Sequence, residues 1–201
     1  METIAIYGGT FSPPHMGHVM AAKAFFEAAK PDRLLIIPTA IPPHKNPVMG
    51  ATADDRLEMC RLAFADLPCT EVSDMELIRP GKSYTVDTLR ALARDGRRLA
   101  LLTGTDMFLT LGSWVRSEEI FALADIYVMR RTTDSSREIL ETGQKYRERY
   151  AARVYYIEAA PMAVSSTELR AKLGSNISTG DALPPAVLEY IKKCKLYQNQ
   201  P

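Results

Sequence analysis

The stretch Gly8–His18, GGTFSPPHMGH, places two glycines, two prolines and two histidines directly after the strand-like segment Thr3–Tyr7. Glycine lets a backbone approach a ligand closely, whereas proline stiffens a turn and fixes the direction of its side chains. Gly17 stands at the predicted entrance of a helix, where free N–H groups and the helix dipole favour an anion. His15 and His18 can face the same side of that first turn. The stretch therefore predicts a phosphate-binding turn between a strand and a helix.

Three other interpretations compete with this one. A P-loop requires a lysine followed by serine or threonine, which is absent here, and the dinucleotide pattern GxGxxG is also missing. Zinc could use two histidines at this spacing, but His44, the third histidine of the chain, lies in a distant proline-rich segment. A stiff turn with two incidental surface histidines is the structural alternative. The combination of residue types over the whole stretch favours phosphate over all three.

The composition is typical of a globular protein. Of 201 residues, 46% are hydrophobic and 24% are charged, which predicts a single domain over 1–201 with a substantial core. The formal net charge is only +1, from 25 basic and 24 acidic residues. This balance argues against a nucleic acid polymer as partner, whereas small anions remain suitable ligands.

The three cysteines, Cys60, Cys69 and Cys194, are odd in number and widely spaced. They predict neither a disulfide framework nor a zinc site, so a reducing cytoplasm is the expected location. Residues 1–20 lack the features of a signal peptide, and no apolar run approaches membrane-spanning length, so no membrane partner is expected. A homo-oligomer is compatible with the sequence.

Strand-length apolar segments alternate with helix-period segments along the chain. This alternation predicts an α/β fold with a mainly parallel sheet, because parallel strands need helical crossovers between them. The proline-rich segment Thr39–Ala51 is predicted to be a functional loop. The predicted strands are Thr3–Tyr7, Arg33–Pro38, Leu99–Gly104, Ile126–Met129 and Val154–Ile157, and the predicted helices are Gly17–Ala29, Ala53–Asp66, Thr85–Arg94, Asp134–Arg149, Thr167–Leu173 and Pro184–Lys193.

A second phosphate-directed motif is VSSTELR, Val164–Arg170. Ser165 and Ser166 are good N-cap residues, and the hydroxyls and free N–H groups of a helix start suit a phosphate. Arg170, one turn into the helix, adds a fixed positive charge with a fork of donors. A serine-capped helix taken alone is more often structural. Two such helix entrances, far apart in sequence, favour a shared polyphosphate ligand.

These two motifs resemble the HxGH and ISSTxxR signatures of the nucleotidyltransferase superfamily. Four further stretches are similar to segments of the bacterial nicotinate-mononucleotide adenylyltransferase family and span nearly the whole chain. Three positions depart from that family: Ser12 replaces a common aspartate or asparagine, Val115 replaces a frequent aromatic, and RRTTD lacks the usual proline and glycine. The four stretches are IPPHKN (41–46), SYTVDTL (83–89), GTDMF with SWVR (104–108 and 113–116), and VMRR (128–131).

The resemblance implies a Rossmann-like, doubly wound fold and adenylyl transfer from ATP to nicotinate mononucleotide. It implies that Mg²⁺ arrives with ATP, without a dedicated protein metal site. The alternatives are a phosphopantetheine adenylyltransferase and an inactive nucleotide-binding regulator of the same fold. The catalytic residues implied are His15, His18, Lys45 and Arg170; the ATP-binding residues are Gly8, Gly9, Thr10, Phe11, Gly17, Gly104, Asp106, Ser165, Ser166 and Thr167; and the residues for nicotinate mononucleotide are Ser83, Tyr84, Thr85, Asp87, Trp114 and Arg131.

Overall fold

Six strands form one parallel sheet in the computed structural model of the chain, which describes residues 1–40, 50–94, 96–130, 136–158 and 164–198. The strand order is β3-β2-β1-β4-β5-β6, so the direction of winding reverses between β1 and β4. Ligands of such sheets bind at the carboxyl ends of the strands, beside this reversal. The strands are β1 Glu2–Gly9, β2 Arg33–Pro38, β3 Thr70–Val72, β4 Arg97–Gly104, β5 Ala124–Arg130 and β6 Val154–Glu158.

Helices cover both faces of the sheet and connect its parallel strands. Two short 3₁₀ turns, Leu111–Ser113 and Gly180–Ala182, accompany them. The helices are α1 Met16–Ala29, α2 Ala53–Ala63, α3 Thr85–Leu92, α4 Thr105–Thr110, α5 Ser117–Leu123, α6 Ser136–Tyr150, α7 Ser166–Gly174 and α8 Pro185–Lys193.

The sheet separates two hydrophobic layers, because successive side chains of a strand point to opposite faces. In β4, Leu99 and Leu101 pack with α3, α4 and α5, whereas Ala100 and Leu102 pack with α1, α2, α7 and α8. Both faces are therefore apolar, which explains the nearly continuous apolar runs of the central strands.

The predicted α/β fold is confirmed, and all five predicted strands are present. The structure adds β3, a three-residue edge strand, whose sequence TEV is too short to show a periodic pattern. It also adds α4 and α5, of six and seven residues. Fewer than two helical turns cannot display a 3.6-residue period, so sequence patterns miss such helices. None of the described helices is long and apolar enough to cross a membrane.

The carboxylate of Asp125 is fully buried at the amino end of β5, at the opposite edge of the sheet from the strands' carboxyl ends. It accepts hydrogen bonds from Arg98 and Arg153, which neutralise its charge. A buried carboxylate without such partners would be strongly unfavourable. These contacts hold β4, β5 and the segment before β6 together.

We predict that removing the carboxylate of Asp125 destabilises the protein. Asp125→Ala removes the charge-assisted hydrogen bonds from Arg98 and Arg153, whose side chains are 41% and 52% exposed, and the loss of such bonds costs about 1.5–3 kcal/mol of unfolding free energy. Urea unfolding followed by circular dichroism measures this loss. Asp66→Ala, at an exposed residue after α2, is the control and should change stability by less than about 0.5 kcal/mol. Equal unfolding free energies of Asp125→Ala and Asp66→Ala would contradict the stabilising role of Asp125.

Candidate active site

The first motif forms the loop between β1 and α1, at the reversal of strand order. Phe11 adopts a left-handed backbone conformation with φ 47°, and its ring is buried. This ring packs against Tyr7 and Phe64 at centroid distances of 5.3 and 5.8 Å and against His18 at 5.1 Å. The Phe11 side chain therefore anchors the loop in the core, and only its backbone can face a ligand.

His18 lies in the first turn of α1, where a backbone hydrogen bond sets its tautomer. The N–H of His15 donates to His18 Nδ1 at 3.1 Å. Burial, together with the neighbouring His15, holds the pKa of His18 well below its ordinary value of 6.5. The ring is consequently neutral near pH 7, and with Nδ1 accepting, the proton resides on Nε2. His18 thus offers a neutral N–H donor rather than a cation.

His15 is the N-cap residue of α1 and is itself buried. Its ring lies 3.7 Å from the His18 ring, measured between centroids. A Cβ at Gly17 would come within 3.0 Å of His15 Cε1 and Nδ1, so any larger residue would displace this ring. The glycine of the HMGH sequence therefore makes room for the histidine before it.

The second motif begins α7 and contacts the first directly. Ser166 Oγ donates to the carbonyl oxygen of Pro13 at 3.0 Å, and Arg170 Nη1 donates to that of Ser12 at 2.7 Å. These bonds span more than 150 residues of sequence. The predicted meeting of the two motifs is therefore present in the structure.

The two serines of the second motif have different roles. Ser165 is the N-cap, and its Oγ accepts from the N–H of Glu168 at 3.2 Å. Ser166 faces the first motif instead. Thr167 Oγ1 accepts from Arg170 Nη2 at 3.2 Å and so orients the guanidinium.

Arg56 of α2 also holds the first-motif loop, although sequence patterns did not single it out. Its side chain is buried, and Nη1 donates to the carbonyl oxygen of Thr10 at 2.9 Å. Burial lowers the pKa of Arg56 below its ordinary value. An arginine among the core residues Leu57, Met59 and Cys60 was the available signal, because a buried arginine needs a specific polar partner.

The SYTVDTL segment forms the start of α3, with Tyr84 as N-cap and Thr85 as first residue. Ser83 is buried, and its Oγ accepts from the N–H of Ala40, two residues after β2, at 3.1 Å. Asp87 pairs with Arg90 of the same helix at 3.4 Å. Ser83 thus joins the start of α3 to the residues that follow β2.

Glu76, which sequence reasoning missed, supports this segment. Its buried carboxylate accepts from Thr88 Oγ1 at 2.7 Å and also bonds the Ser83 hydroxyl. Burial is the main cause that raises the pKa of Glu76, while these hydrogen bonds and Arg79 oppose the rise. The segment before α3 is therefore fixed by a polar cluster beneath it.

The GTD and SWVR segments lie beyond β4. Gly104 ends that strand, and Asp106 is exposed in the first turn of α4. Trp114 is half-buried after the 3₁₀ turn, and its Nε1 donates to Thr110 Oγ1 at 3.4 Å. It borders a surface cleft of about 450 Å³ together with the start of α5, which packs against α3. The cleft is lined by Trp114, Arg116, Ser117, Glu118 and Glu119.

Two of the residues implied by the resemblance, Lys45 and Arg131, lie outside the described residues. Among the described residues, no group of three or more His, Cys, Asp or Glu side chains is arranged to hold a metal ion.

Comparison with known proteins agrees with this geometry. The family model described as cytidylyltransferase-like matches residues 6–172. A curated protein of Geobacter sulfurreducens, named "Probable nicotinate-nucleotide adenylyltransferase", is 37% identical over 212 residues, covering 96% of each chain. A second of the same name, from Caldicellulosiruptor saccharolyticus, is 35% identical over 97% of this chain and 98% of its own. The chain belongs to the nicotinate-nucleotide adenylyltransferase family. The resemblance inferred from the motifs is therefore confirmed.

Solved structures of the family share this fold. A Plasmodium falciparum nicotinic acid mononucleotide adenylyltransferase complexed with NaAD superimposes with a TM-score of 0.80 at 18% identity, covering 98% of both chains. The Rossmann-like nucleotidyltransferase fold expected from the resemblance is confirmed.

The lowered pKa of His18 predicts a pH-dependent loss of stability. Below pH 6.5 the unfolded chain protonates this histidine while the folded protein does not, so stability falls as the pH decreases. The slope contributed is at most about 1.4 kcal/mol per pH unit. Unfolding by urea between pH 7.5 and 5 measures it, and His18→Asn should lack this component. Parallel pH profiles for the two proteins would contradict a His18 that stays neutral in the folded protein.

Proposed function

We propose that this chain transfers the adenylyl group of ATP to nicotinate mononucleotide, giving nicotinate adenine dinucleotide and pyrophosphate in NAD biosynthesis. The observation that carries this proposal is the contact between the two motifs. The starts of α1 and α7 meet at one loop, which brings a neutral histidine donor and a guanidinium to the same edge of the sheet. Membership of the family supports the same reaction.

The reaction requires that the two substrates are positioned correctly, and it does not require a general base. The phosphate of nicotinate mononucleotide attacks the α-phosphorus of ATP, the new P–O bond forms, and the bond to pyrophosphate breaks. A phosphate monoester has a second pKa of about 6 and is largely ionised at neutral pH. The protein must therefore align two polyanions and stabilise the charge that grows on the α-phosphate and the leaving group.

In this proposal, His18 Nε2–H donates to the α-phosphate as the transition state forms. His15 and Thr10 orient the phosphate chain. Arg170 has donors left after its bond to Ser12, since a guanidinium carries five N–H groups, and these hold the β- and γ-phosphates. The backbone N–H groups of Ser166 and Thr167, at the first turn of α7, complete the cradle.

Lys45 would bridge towards the attacking phosphate, and Arg131 would contact a phosphate as well. Asp106, exposed beyond β4, is the proposed partner of the adenosine ribose. For the acceptor, Trp114 would stack on the pyridine ring, and Tyr84 with Thr85 would supply N–H donors at the start of α3. This proposal includes a preference for nicotinate over nicotinamide. Both oxygens of the nicotinate carboxylate accept hydrogen bonds from such N–H donors, whereas the amide has only one acceptor oxygen.

Mg²⁺ is proposed to enter with ATP and to lie among phosphate oxygens and water, as this ion commonly does. When bound, it would neutralise part of the polyphosphate charge.

We also propose a single catalytic domain over 1–201 and a cytoplasmic location. The helix α8 packs on α2, and Tyr190 Oη donates to Asp55 Oδ1 at 3.0 Å, so the end of the described chain belongs to the same core. Cys60, Cys69 and Cys194 are free thiols, as expected in a reducing compartment.

Pyrophosphate release from ATP and Mg²⁺ tests the function, with nicotinate mononucleotide, nicotinamide mononucleotide and phosphopantetheine compared as acceptors. We expect release with nicotinate mononucleotide, and nicotinate adenine dinucleotide as product by mass spectrometry. Release with phosphopantetheine alone would assign the other adenylyltransferase. Release with none of the three would favour an inactive nucleotide-binding regulator and would overturn the proposal.

We predict that His18→Ala lowers turnover by about 10² to 10³, because one donor to the transition-state charge is lost. The variant should keep the wild-type circular dichroism spectrum. Met20→Ala, at an exposed position of the same helix, is the control and should retain wild-type turnover. Near-normal turnover in folded His18→Ala would remove His18 from the mechanism.

A further inference from the structure

The segment after α8 turns back into the core and ends beside the first motif. Leu196 and Tyr197 are both buried, although they lie near the end of the described chain. Tyr197 has φ 60°, a left-handed conformation that is uncommon for a residue other than glycine. Such a conformation persists when surrounding contacts hold it. The segment is therefore packed in place rather than lying on the surface.

The hydroxyl of Tyr197 meets the hydroxyl of Ser12 at 2.9 Å, 185 residues away in sequence. Ser12 is almost completely buried, so its hydroxyl depends on a protein partner. The carbonyl oxygen of the same residue accepts from Arg170. Ser12 is thus held at its side chain by the C-terminal segment and at its backbone by α7.

The backbone of Tyr197 forms a second link. Its N–H donates to the carbonyl oxygen of Gly50 at 3.1 Å. Gly50 has φ 96°, and a Cβ there would lie 2.9 Å from Tyr197 Cδ1 and 3.3 Å from Tyr197 Cα, so this approach requires glycine. Gly50 lies just before Thr52, the N-cap of α2. Tyr197 therefore joins the beginning of α2 to the first-motif loop.

The charges around Tyr197 favour this arrangement. Burial raises the pKa of Tyr197 to about 12, with the Ser12 bond and the positive charges of Arg170 and Arg56 opposing the rise. The phenol is consequently neutral at physiological pH, and its hydroxyl can donate a hydrogen bond to Ser12 Oγ or accept one from it. It lies between the two arginines that hold the carbonyls of Thr10 and Ser12.

We propose that Tyr197 is a positioning residue for adenylyl transfer: its hydroxyl, through Ser12, holds the Thr10–His15 loop where His18 and Arg170 can act on the same phosphate chain. The proposal rests on the function given above. Tyr197 acts through Ser12, and its role differs from ordinary packing because the ring alone, without the hydroxyl, does not fix the loop.

Hydrogen exchange tests the link without relying on activity. Tyr197→Phe keeps the buried ring and removes only the hydroxyl, and Ser12→Ala removes the other half of the bond. In both variants we expect the amides at positions 10, 11, 12 and 15, the non-proline positions of this loop, to exchange roughly two- to tenfold faster, as loss of one net hydrogen bond implies. Tyr190→Phe is the matched control, since it removes the bond of another tyrosine hydroxyl, from Tyr190 in α8 to Asp55 in α2. In Tyr190→Phe, the same loop amides should exchange at the wild-type rate.

Steady-state kinetics tests the consequence. Tyr197→Phe and Ser12→Ala should each lower kcat roughly tenfold while the KM for nicotinate mononucleotide stays within twofold, because misplaced donors weaken the transition state more than acceptor binding. The double variant should lose no more than either single one, as expected for two groups of one bond. Tyr190→Phe should keep the wild-type kcat even if its melting temperature falls.

Unchanged exchange at residues 10–15 in Tyr197→Phe would overturn the link, and a kcat within twofold of wild type would overturn the positioning role. A lower melting temperature with wild-type kcat would likewise reduce Tyr197 to a stabilising residue. If the wild-type protein releases no pyrophosphate with any acceptor, the proposed function fails instead, and the exchange experiment still decides the link.

Discussion

Two hydrogen bonds from α7 to the carbonyl oxygens of Ser12 and Pro13 hold the two motifs together. They join the loop between β1 and α1 to α7, more than 150 residues away in sequence. Without them the starts of α1 and α7 would not be tied to each other. Because Ser166 and Arg170 donate to the loop itself, the position of one motif sets the position of the other.

The loop between β1 and α1 is held from several directions, and three of its polar contacts use a backbone carbonyl or a buried hydroxyl of the loop. Arg56 holds the carbonyl of Thr10, Arg170 that of Ser12, and Tyr197 the Ser12 hydroxyl. The aromatic ring of Phe11 anchors the loop in the core. Rigid placement of donors before the substrate arrives lets them act on developing charge without reorganisation.

The site combines a neutral hydrogen-bond donor, His18, with a charged one, Arg170. His18 is neutral because desolvation and a neighbouring histidine disfavour its cation, and the His15 N–H bond to Nδ1 leaves the proton on Nε2. The guanidinium of Arg170 keeps its charge, since arginine remains protonated in proteins. In the proposed reaction, the directional neutral donor would bond an oxygen of the α-phosphate, whereas the fixed cation would hold the β- and γ-phosphates.

The sequence by itself determined the alternation of strands and helices, because apolar periodicity depends on neighbouring residues alone, and it also identified both motifs by their residue types. It did not reveal β3, α4 or α5, which are too short to show a period. Only the tertiary structure assigned Arg56, Glu76 and Tyr197, whose roles arise from partners distant in sequence. It also separated the capping role of Ser165 from the bridging role of Ser166, since that difference depends on which hydroxyl faces Pro13 once α7 packs beside the loop.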